Sequence, residues 1–230
     1  MTITTSSLTK SAGAAAAVAG AIFIGVQLNH PPADVAHIAT TEMAVRETAK
    51  TVMAVLALAG FTGMFLRSRH RLGVVGLIGY LLLGVGYLAL FAVQVIVACV
   101  LPTVSKSDPR YVQDVVDAAT GGSPTGDIGG MQVLFNLSGA GYMLGGLLFG
   151  IALYRAGVLA RWACALLAVA TVSTAALAVL PQSFNRPMAV PTGVALIGLG
   201  VSLWRTSRTA GDAAPNLPAV ASQISATPVR

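Results

Sequence analysis

Six long runs of apolar residues constrain the fold of this chain more than any other feature. A run of about 18 or more apolar residues can cross a bilayer as a helix, because about 20 residues at about 1.5 Å each span the hydrocarbon core. The longest run is longer than the core requires, so we expect its helix to tilt or to project beyond the bilayer. The sequence therefore predicts an all-α integral membrane bundle of six transmembrane helices. The runs cover approximately 11–29, 49–66, 72–101, 131–154, 158–180 and 188–204.

The composition supports a membrane protein and argues against soluble classes. Only 10% of the residues are charged, whereas a soluble domain carries about 25%, and the mean hydropathy is +0.78. The net charge of +6 does not indicate nucleic-acid binding, because the basic residues lie at the ends of the apolar runs. Arginine outnumbers lysine, and Ala, Val and Gly are frequent, as is typical of GC-rich bacterial genomes. We therefore expect a multi-pass protein of the bacterial inner (plasma) membrane, with the lipid bilayer and no nucleic acid as its partner.

The distribution of basic residues predicts that both termini are cytoplasmic. In that orientation nine of the 14 Lys and Arg residues lie inside with one acid, and seven of the 8 acids lie outside. The short loop RSRHR is the strongest determinant, since positive charge is retained on the cytoplasmic side. The inner basic residues are Lys10, Arg67, Arg69, Arg71, Arg155, Arg161, Arg205, Arg208 and Arg230.

The predicted organisation has three parts. They are a short cytoplasmic N-terminus at 1–10, a six-helix transmembrane domain at 11–205 and a disordered cytoplasmic tail at 206–230. Within the transmembrane domain, external loops are expected at 30–48 and 102–130. An alternative for the first apolar run is a cleaved signal peptide with Lys10 in its charged region, and the sequence leaves this open.

The segment HPPADVAHIATTEMAVRETAK, residues 30–50, concentrates charge and histidine in a chain that has little of either. If a helix begins near residue 33, Asp34, His37 and Thr41 share one face. One interpretation is a site at the outer mouth of the bundle, where Asp34 and His37 bind a cation or move a proton. A metal ion needs a third or fourth ligand, so no metal site is predicted.

The alternative interpretation of the same segment is a solvated helix extension with surface ion pairs. Each such pair contributes only a few tenths of a kcal/mol. The predicted pairs are Glu42–Arg46 and Glu47–Lys50.

The second external segment, 102–130, predicts a short amphipathic helix on the outer surface. Asp108 is a typical N-cap residue, and Pro109 suits the first helical position. Asp114 and Asp117 are expected to point away from the apolar face, and GGSPTGDIGG is expected to form a flexible strap. The apolar face comprises Tyr111 or Val112, Val115, Val116 and Ala119.

Polar residues within the spans extend the candidate site at the outer mouth. Gln94 and Asn136 are predicted at a depth close to that of the charged segment, under the amphipathic helix as a roof. We expect an outward-facing pocket for a lipid or another apolar small molecule, while the alternative is interhelical hydrogen bonds worth about 0.6 kcal/mol each. The predicted ligand-binding residues are Asp34, His37, Arg46, Gln94, Asn136 and Tyr142.

Glycine is concentrated in the fourth predicted helix. Gly141 and Gly145, and likewise Gly146 and Gly150, are four residues apart. Such pairs let helices approach closely in lipid. We expect them to pack within one bundle, and a homodimer through this helix is the alternative.

The predicted spans contain no Asp, Glu, Lys, Arg or His at depth. Ionisable groups within a membrane usually mark ion pathways or proton relays, so their absence argues against a pump. A haem held between helices would require histidines at membrane depth. No cofactor is predicted.

Residues 141–169, GYMLGGLLFGIALYRAGVLARWACALLAV, resemble the helix, short basic loop and helix of small polytopic bacterial membrane proteins of unknown function. In that group a glycine-bearing helix ends in a tyrosine–arginine pair, here Tyr154 and Arg155. The chain is also similar in size and apolar character to the integral membrane terpene cyclases. That resemblance implies that an acid near the bilayer surface, Glu42 or Glu47, donates a proton.

Three functions remain open from the sequence. The first is a non-enzymatic membrane protein that binds a lipid or other apolar molecule in an outward-facing cavity. The second is a membrane-embedded enzyme that acts on an isoprenoid, with Glu42 or Glu47 as general acid. The third is an accessory subunit of a membrane complex that packs through the fourth helix.

Overall fold

The computed structural model describes residues 4–178 and 186–212, and within them all regular secondary structure is helical. This confirms the all-α prediction. Four helices are long and apolar enough to cross a membrane: Thr5–Gly25, Thr41–Cys99, Gly130–Ala156 and Pro187–Thr206. The α-helices are α1 (Thr5–Gly25), α2 (Thr41–Cys99), α3 (Leu101–Ser107), α4 (Pro109–Thr120), α5 (Gly130–Ala156), α6 (Arg161–Ser173) and α7 (Val190–Asp212), with 3₁₀ turns at Thr174–Ala178 and Pro187–Ala189.

Helix α2 is a hairpin of two helical segments. Its backbone breaks at Gly73, where φ is 59° and ψ is −167°, a conformation that glycine adopts far more readily than any other residue. The first segment (residues 41–72) and the second segment (residues 74–99) pack side by side, and the stacked rings of Phe65 and Tyr80 lie 4.6 Å apart. The RSRHR stretch that we expected to be a loop is helical, and the reversal takes place at a single glycine.

Each helix packs antiparallel to its neighbours, and the helices close into a ring. α1 packs between α7 and the first segment of α2, while α5 packs between the second segment of α2 and α6. Contact between α6 and α7 completes the circle. One end of the bundle, which we call the basic end, holds the turn at Gly73, the connection between α5 and α6, the start of α1 and the end of α7. The opposite end, which we call the loop end, holds α3, α4 and the start of α2.

Small residues line the seams between these helices. A Cβ at Gly13 would collide with the backbone of Gly200, and one at Gly20 would collide with Gly193, so α1 and α7 touch backbone to backbone. Close contact of this kind is what holds helices together where lipid removes the hydrophobic driving force. The apolar core of the ring is aromatic at its centre, where Phe61, Tyr87 and Phe149 are almost fully buried.

The glycine pairs of α5 are both used inside the chain. Gly141 and Gly145 meet the second segment of α2, whereas Gly146 and Gly150 meet α6. This is the intramolecular packing that we expected. A homodimer through α5 would have to use another face of the helix.

A second apolar cluster covers the loop end. Helix α4 begins as predicted, because the Asp108 carboxylate accepts a hydrogen bond from the Tyr111 backbone N–H at 3.0 Å. It ends at Gly121, which is left-handed with φ at 87°. The residues that α4 and its surroundings bury together are Ile38, Val93, Leu101, Val112, Val115, Val116, Ile128 and Met131.

Asp114 holds the segment that follows α4. Its side chain is buried, and its Oδ1 accepts hydrogen bonds from the Thr125 backbone N–H at 2.7 Å and the Thr125 hydroxyl at 2.9 Å. These bonds hold the PTGD part of the glycine-rich segment against α4. Ile128, in the same segment, is 3% exposed. The segment expected to be a flexible strap is therefore anchored at two points.

Other boundaries also differ from the sequence-based expectation. α2 begins at Thr41, whose helix is capped by the hydroxyl of Thr40, so residues 34–40 form turns rather than the start of a helix from residue 33. The last helix continues to Asp212, into the segment 206–230 expected to be disordered, and 213–230 lie outside the described residues.

Candidate functional site

The loop end contains a cluster of charged side chains, and Arg46 ties its parts together. The Arg46 guanidinium donates hydrogen bonds to the carbonyl oxygens of Val26, Leu28 and Asn29 at 3.2, 2.9 and 3.0 Å. A carbonyl at the end of a helix has no partner within that helix, and a cation is the favoured group to satisfy it. Val26 is the C-cap residue of α1, and Leu28 and Asn29 lie in the turn that follows. Arg46 therefore holds the end of α1 and its exit turn from the neighbouring helix.

Arg46 also forms the predicted ion pair with Glu42. Two guanidinium nitrogens of Arg46 donate to the same Glu42 oxygen, at 2.8 and 3.1 Å. The Glu42 side chain remains 57% exposed, whereas that of Arg46 is 18% exposed. The carboxylate is thus accessible from outside while its partner is fixed in the structure.

The second predicted pair, Glu47–Lys50, is buried rather than solvated. The Lys50 ammonium donates to a Glu47 carboxylate oxygen at 2.5 Å, and the Glu47 side chain is 4% exposed. The second partner of Lys50 is His30, whose Nε2 lies 3.1 Å from the ammonium nitrogen. His30 Nδ1 lies 2.8 Å from the Pro31 carbonyl oxygen. An N–H on Nδ1 satisfies that carbonyl and leaves Nε2 as the acceptor from Lys50.

Arg186 brings the start of α7 to this cluster. It donates a hydrogen bond to the Gln27 side-chain oxygen at 3.3 Å. Burial lowers the pKa of the Arg186 guanidinium, and the nearby Glu47 carboxylate opposes that shift. Gln27 after α1, the charged residues of α2 and Arg186 before α7 therefore meet at one place, which joins three helices of the ring. No spacing or motif in the sequence indicates that Arg186 lies close to Glu47.

Asp34 and His37 form a separate pair in the turn before α2. His37 Nδ1 lies 2.7 Å from Asp34 Oδ1, and the His37 backbone N–H donates to the same oxygen at 2.8 Å. The hydrogen bond from the His37 ring, followed by that from its backbone, lowers the pKa of Asp34. Both side chains are about two-fifths exposed, at 40% and 41%. The predicted contact is present, but in a turn and without Thr41.

A groove of about 410 Å³ opens beside Arg46. Its walls are mainly apolar, with the Glu42–Arg46 pair as the charged element at its rim. An elongated apolar depression with a few fixed polar groups is the usual form of a small-molecule site. The lining residues are Gly25, Val26, Thr41, Glu42, Val45, Arg46 and Ala49.

The remaining predicted ligand residues do not line this groove. Gln94 is half-buried in the second segment of α2, and Asn136 is exposed on α5, where it accepts a hydrogen bond from Gln132 at 3.1 Å. Tyr142 lies inside the bundle, with its hydroxyl 2.7 Å from that of Thr192. The structure thus brings Arg46 together with Glu42 and places Gln94, Asn136 and Tyr142 elsewhere.

Of the two acids considered as proton donors, only Glu42 borders the groove. Glu47 is buried beneath it and lies 3.8 Å from His30 Nε2. Among the described residues, no group of three His, Cys, Asp or Glu side chains is arranged to hold a metal ion. The site can therefore offer charge and hydrogen bonds to a ligand through Glu42 and Arg46.

No protein-family model, curated protein or solved structure matches the chain. The function has to be argued from this geometry.

Proposed function

We propose that this chain is a membrane protein with six spans and cytoplasmic termini that binds a lipid or another apolar small molecule in the outward-facing groove beside Arg46. The observation that carries the proposal is the groove itself: apolar walls with one charged pair at the rim. An amphipathic ligand would place its apolar part against Val26, Val45 and Ala49 and its polar part near Glu42 and Arg46.

The count of six spans is supported by the hairpin in α2. A helix of 59 residues would extend about 88 Å if straight, far more than the hydrocarbon thickness of about 30 Å. The reversal at Gly73 turns it into two segments, each long enough to cross once. With α1, α5 and α7, this gives five crossings. The sixth in the proposal is α6, which has 13 residues and is continued by the 3₁₀ turn to Ala178.

Retention of the first helix is supported by its packing. Gly13 and Gly20 fit against α7, and Arg46 binds the carbonyls at the end of α1. Removal of α1 as a signal peptide would leave Arg46 without those acceptors and would expose the glycine seam of α7. We therefore favour a retained helix.

The orientation can be tested by labelling single cysteines in intact cells. In a chain carrying Cys99→Ser and Cys164→Ala, one cysteine is introduced by Ser123→Cys, between α4 and α5, or by His70→Cys, at the basic end. Both positions are exposed. A membrane-impermeant maleimide should label the Ser123→Cys protein and leave the His70→Cys protein unlabelled until the cells are lysed. The reverse pattern would invert the proposed topology.

Ligand binding can be tested by native mass spectrometry of the purified protein. We expect a lipid-sized adduct on the wild type and its loss in Val45→Trp, because the indole fills the groove at a position that is 63% exposed and tolerant of bulk. Val52→Trp is the matched control, two turns further along the same face, 47% exposed and outside the groove. A wild-type protein that is repeatedly empty, or an adduct that survives Val45→Trp, would contradict the proposal.

The enzyme alternative receives less support from the site. A general acid must carry a proton before the reaction, whereas a carboxylate that accepts hydrogen bonds from a guanidinium or ammonium group is favoured as an anion. Glu47 has such a partner in Lys50. If the chain nevertheless turned over an isoprenoid, loss of turnover in a folded Glu42→Gln protein would identify the acid.

A further inference from the structure

A second groove, of about 450 Å³, runs between α6 and α7 at the basic end. Its floor is Gly198, where a Cβ would collide with the indole of Trp162, so the glycine makes room for that ring. The groove lies on the outside of the ring of helices, because Trp162 is 58% exposed and Val194 and Val201 are each 37% exposed. It is remote from the loop end and from the groove beside Arg46.

The lining of this groove changes from apolar to charged along α7. Val194, Ile197 and Val201 form an apolar wall, and Ser202 and Arg205 follow toward the basic end. From residue 194 to 205 the helix rises about 17 Å, close to half the thickness of the hydrocarbon core. An apolar track of that length that ends in a cation matches an acyl chain joined to an anionic headgroup.

Arg205, at the polar end of the groove, has no ion-pair partner among the described side chains. It is exposed and forms no hydrogen bond with any other described residue. Seven of the 8 acids lie between residues 34 and 127, and the eighth, Asp212, is the last residue of α7. The neighbouring Arg155 and Arg161 add positive charge, and Arg161 lies over the ring of Tyr154 at 5.8 Å.

Exposed aromatic residues mark the level of the lipid headgroups. Trp162 is 58% exposed and Trp204 is 37% exposed, and both lie near Arg205 at the basic end. Tryptophan favours the boundary between hydrocarbon and headgroups, where its ring is apolar and its N–H remains wet. Arg205 is therefore at the depth at which a phospholipid carries its phosphate.

We propose that the groove between α6 and α7 binds one anionic phospholipid of the leaflet at the basic end. The phosphate contacts Arg205, and one acyl chain lies along Val194, Ile197 and Val201 beside the Trp162 ring. Charge complementarity selects the occupant, since a zwitterionic lipid brings no net negative charge to the arginine. This proposal does not depend on the function proposed for the groove at the loop end.

The first test is native mass spectrometry of the full chain released from nanodiscs of phosphatidylcholine with a minority of phosphatidylglycerol. The wild type should retain one phosphatidylglycerol in preference to phosphatidylcholine. Arg205→Gln should lower that preference about fivefold, the effect expected of one cation at a membrane surface. Arg69→Gln is the matched control, because Arg69 is an exposed arginine at the same end and outside the groove. Equal losses in the two variants would show only a diffuse surface attraction and would overturn the proposal.

A second measurement places the lipid at the groove. In a Trp204→Phe background, Trp162 is the only tryptophan, since the chain has 2. Phosphatidylglycerol with brominated acyl chains should quench its fluorescence more than brominated phosphatidylcholine at the same mole fraction. Arg205→Gln should abolish that difference, and soluble glycerol phosphate should not compete. Equal quenching by the two lipids in the wild type would refute a selective site, and competition by glycerol phosphate would assign the site to a free anion.

Discussion

The side-chain oxygens of Thr62 and Tyr80 lie 3.0 Å apart, although the two residues are 18 positions apart in the chain. In one straight helix that separation would place them about 27 Å apart. The contact requires the chain to reverse between them, and the reversal occurs at Gly73. This hydrogen bond between the two segments of α2, with the adjacent Phe65–Tyr80 stack, makes α2 a hairpin rather than one straight helix.

Because the chain reverses at Gly73, substitution of this glycine should lower the stability of the protein. A Cβ at Gly73 would meet no atom within 4 Å, so Gly73→Ala tests the backbone conformation alone. We expect a loss of about 1–3 kcal/mol, because residues other than glycine are strained at this φ and ψ. Gly84→Ala is the matched control, because its Cβ also meets open space but its backbone is helical, so it should be neutral or stabilising by up to about 1 kcal/mol. Unfolding by denaturant in detergent measures both, and equal effects would contradict the assigned backbone.

The cap on α1 predicts a large difference between Arg46 and its ion-pair partner. Arg46→Met removes the donors to three carbonyl oxygens, and hydrogen bonds from a charged group contribute about 1.5–3 kcal/mol. Glu42→Gln removes only an exposed ion pair and should cost less than about 1 kcal/mol. Thermal unfolding of the two variants in the same detergent gives the comparison. Similar losses would mean that the guanidinium acts mainly through Glu42.

The buried Glu47–Lys50 pair predicts strong coupling between its members. Either Glu47→Gln or Lys50→Met leaves its partner buried without an opposite charge, at a cost of about 3–5 kcal/mol. The double variant should lose much less than the sum of the two single losses, because neither charge remains. A double-mutant cycle in denaturant measures the coupling. If the two single losses added up to the loss in the double variant, Glu47 and Lys50 would stabilise the protein independently, for example each through its own contact with His30.

Asp114 predicts a dependence of stability on pH. The backbone N–H of Thr125, followed by its hydroxyl, lowers the pKa of Asp114 in the folded protein. A carboxyl group with a lowered folded pKa stabilises the protein above its unfolded pKa, about 3.9, and that stabilisation is lost as the pH falls through the folded value.

We therefore expect the wild type to be more stable than Asp114→Asn at neutral pH. This difference in stability should disappear as the pH falls below about 4. Melting curves of both proteins across that range provide the measurement. Asp117→Asn is the control on the same helix, because it removes an acid that accepts a hydrogen bond from the exposed Gln113 side chain at 2.8 Å and does not hold Thr125. A gap that stays constant with pH would show that the charge of Asp114 is not what stabilises the fold.

Replacing each of two buried tyrosines by phenylalanine should change the stability of the protein in opposite directions. The Tyr87 hydroxyl is buried and has no hydrogen-bond partner among the described residues, whereas the Tyr142 hydroxyl pairs with Thr192 at 2.7 Å. Tyr87→Phe should stabilise the protein by about 1 kcal/mol, because it removes an unsatisfied polar group. Tyr142→Phe should destabilise it by about 0.6 kcal/mol. Destabilisation by Tyr87→Phe would indicate that a water molecule or ligand binds the hydroxyl.

The helical class and the four long apolar helices could be predicted from the sequence because they depend on composition and run length. The run predicted at 158–180 contains only the 13-residue helix α6. The pairs Glu42–Arg46 and Glu47–Lys50 could also be predicted, since helical spacing determines which side chains meet. The burial of Glu47 could not, because it depends on His30 and Arg186, which approach from distant parts of the chain. A reversal near RSRHR was expected from the break between two apolar runs, but its restriction to Gly73, with RSRHR itself helical, was not.

The site at the loop end could likewise be predicted from the sequence only in part. Asp34 and His37 meet as expected, but through a turn, since two prolines precede them and the helix does not begin until Thr41. Asn136 faces outward because the glycines of α5 take the inner faces of that helix. The rotation of a helix about its axis could not be predicted from the sequence, because it is decided by small-residue seams between helices far apart in the chain.

The pairing of α1 with α7 has a consequence for biosynthesis. α1 is translated before α7, so its backbone contact across Gly13 and Gly200 can form only after α7 has been made. Until then the Gly13 flank of α1 lacks its neighbour in the folded protein. Chains that end before Val190 should therefore expose α1, as well as their own end, to quality-control proteases.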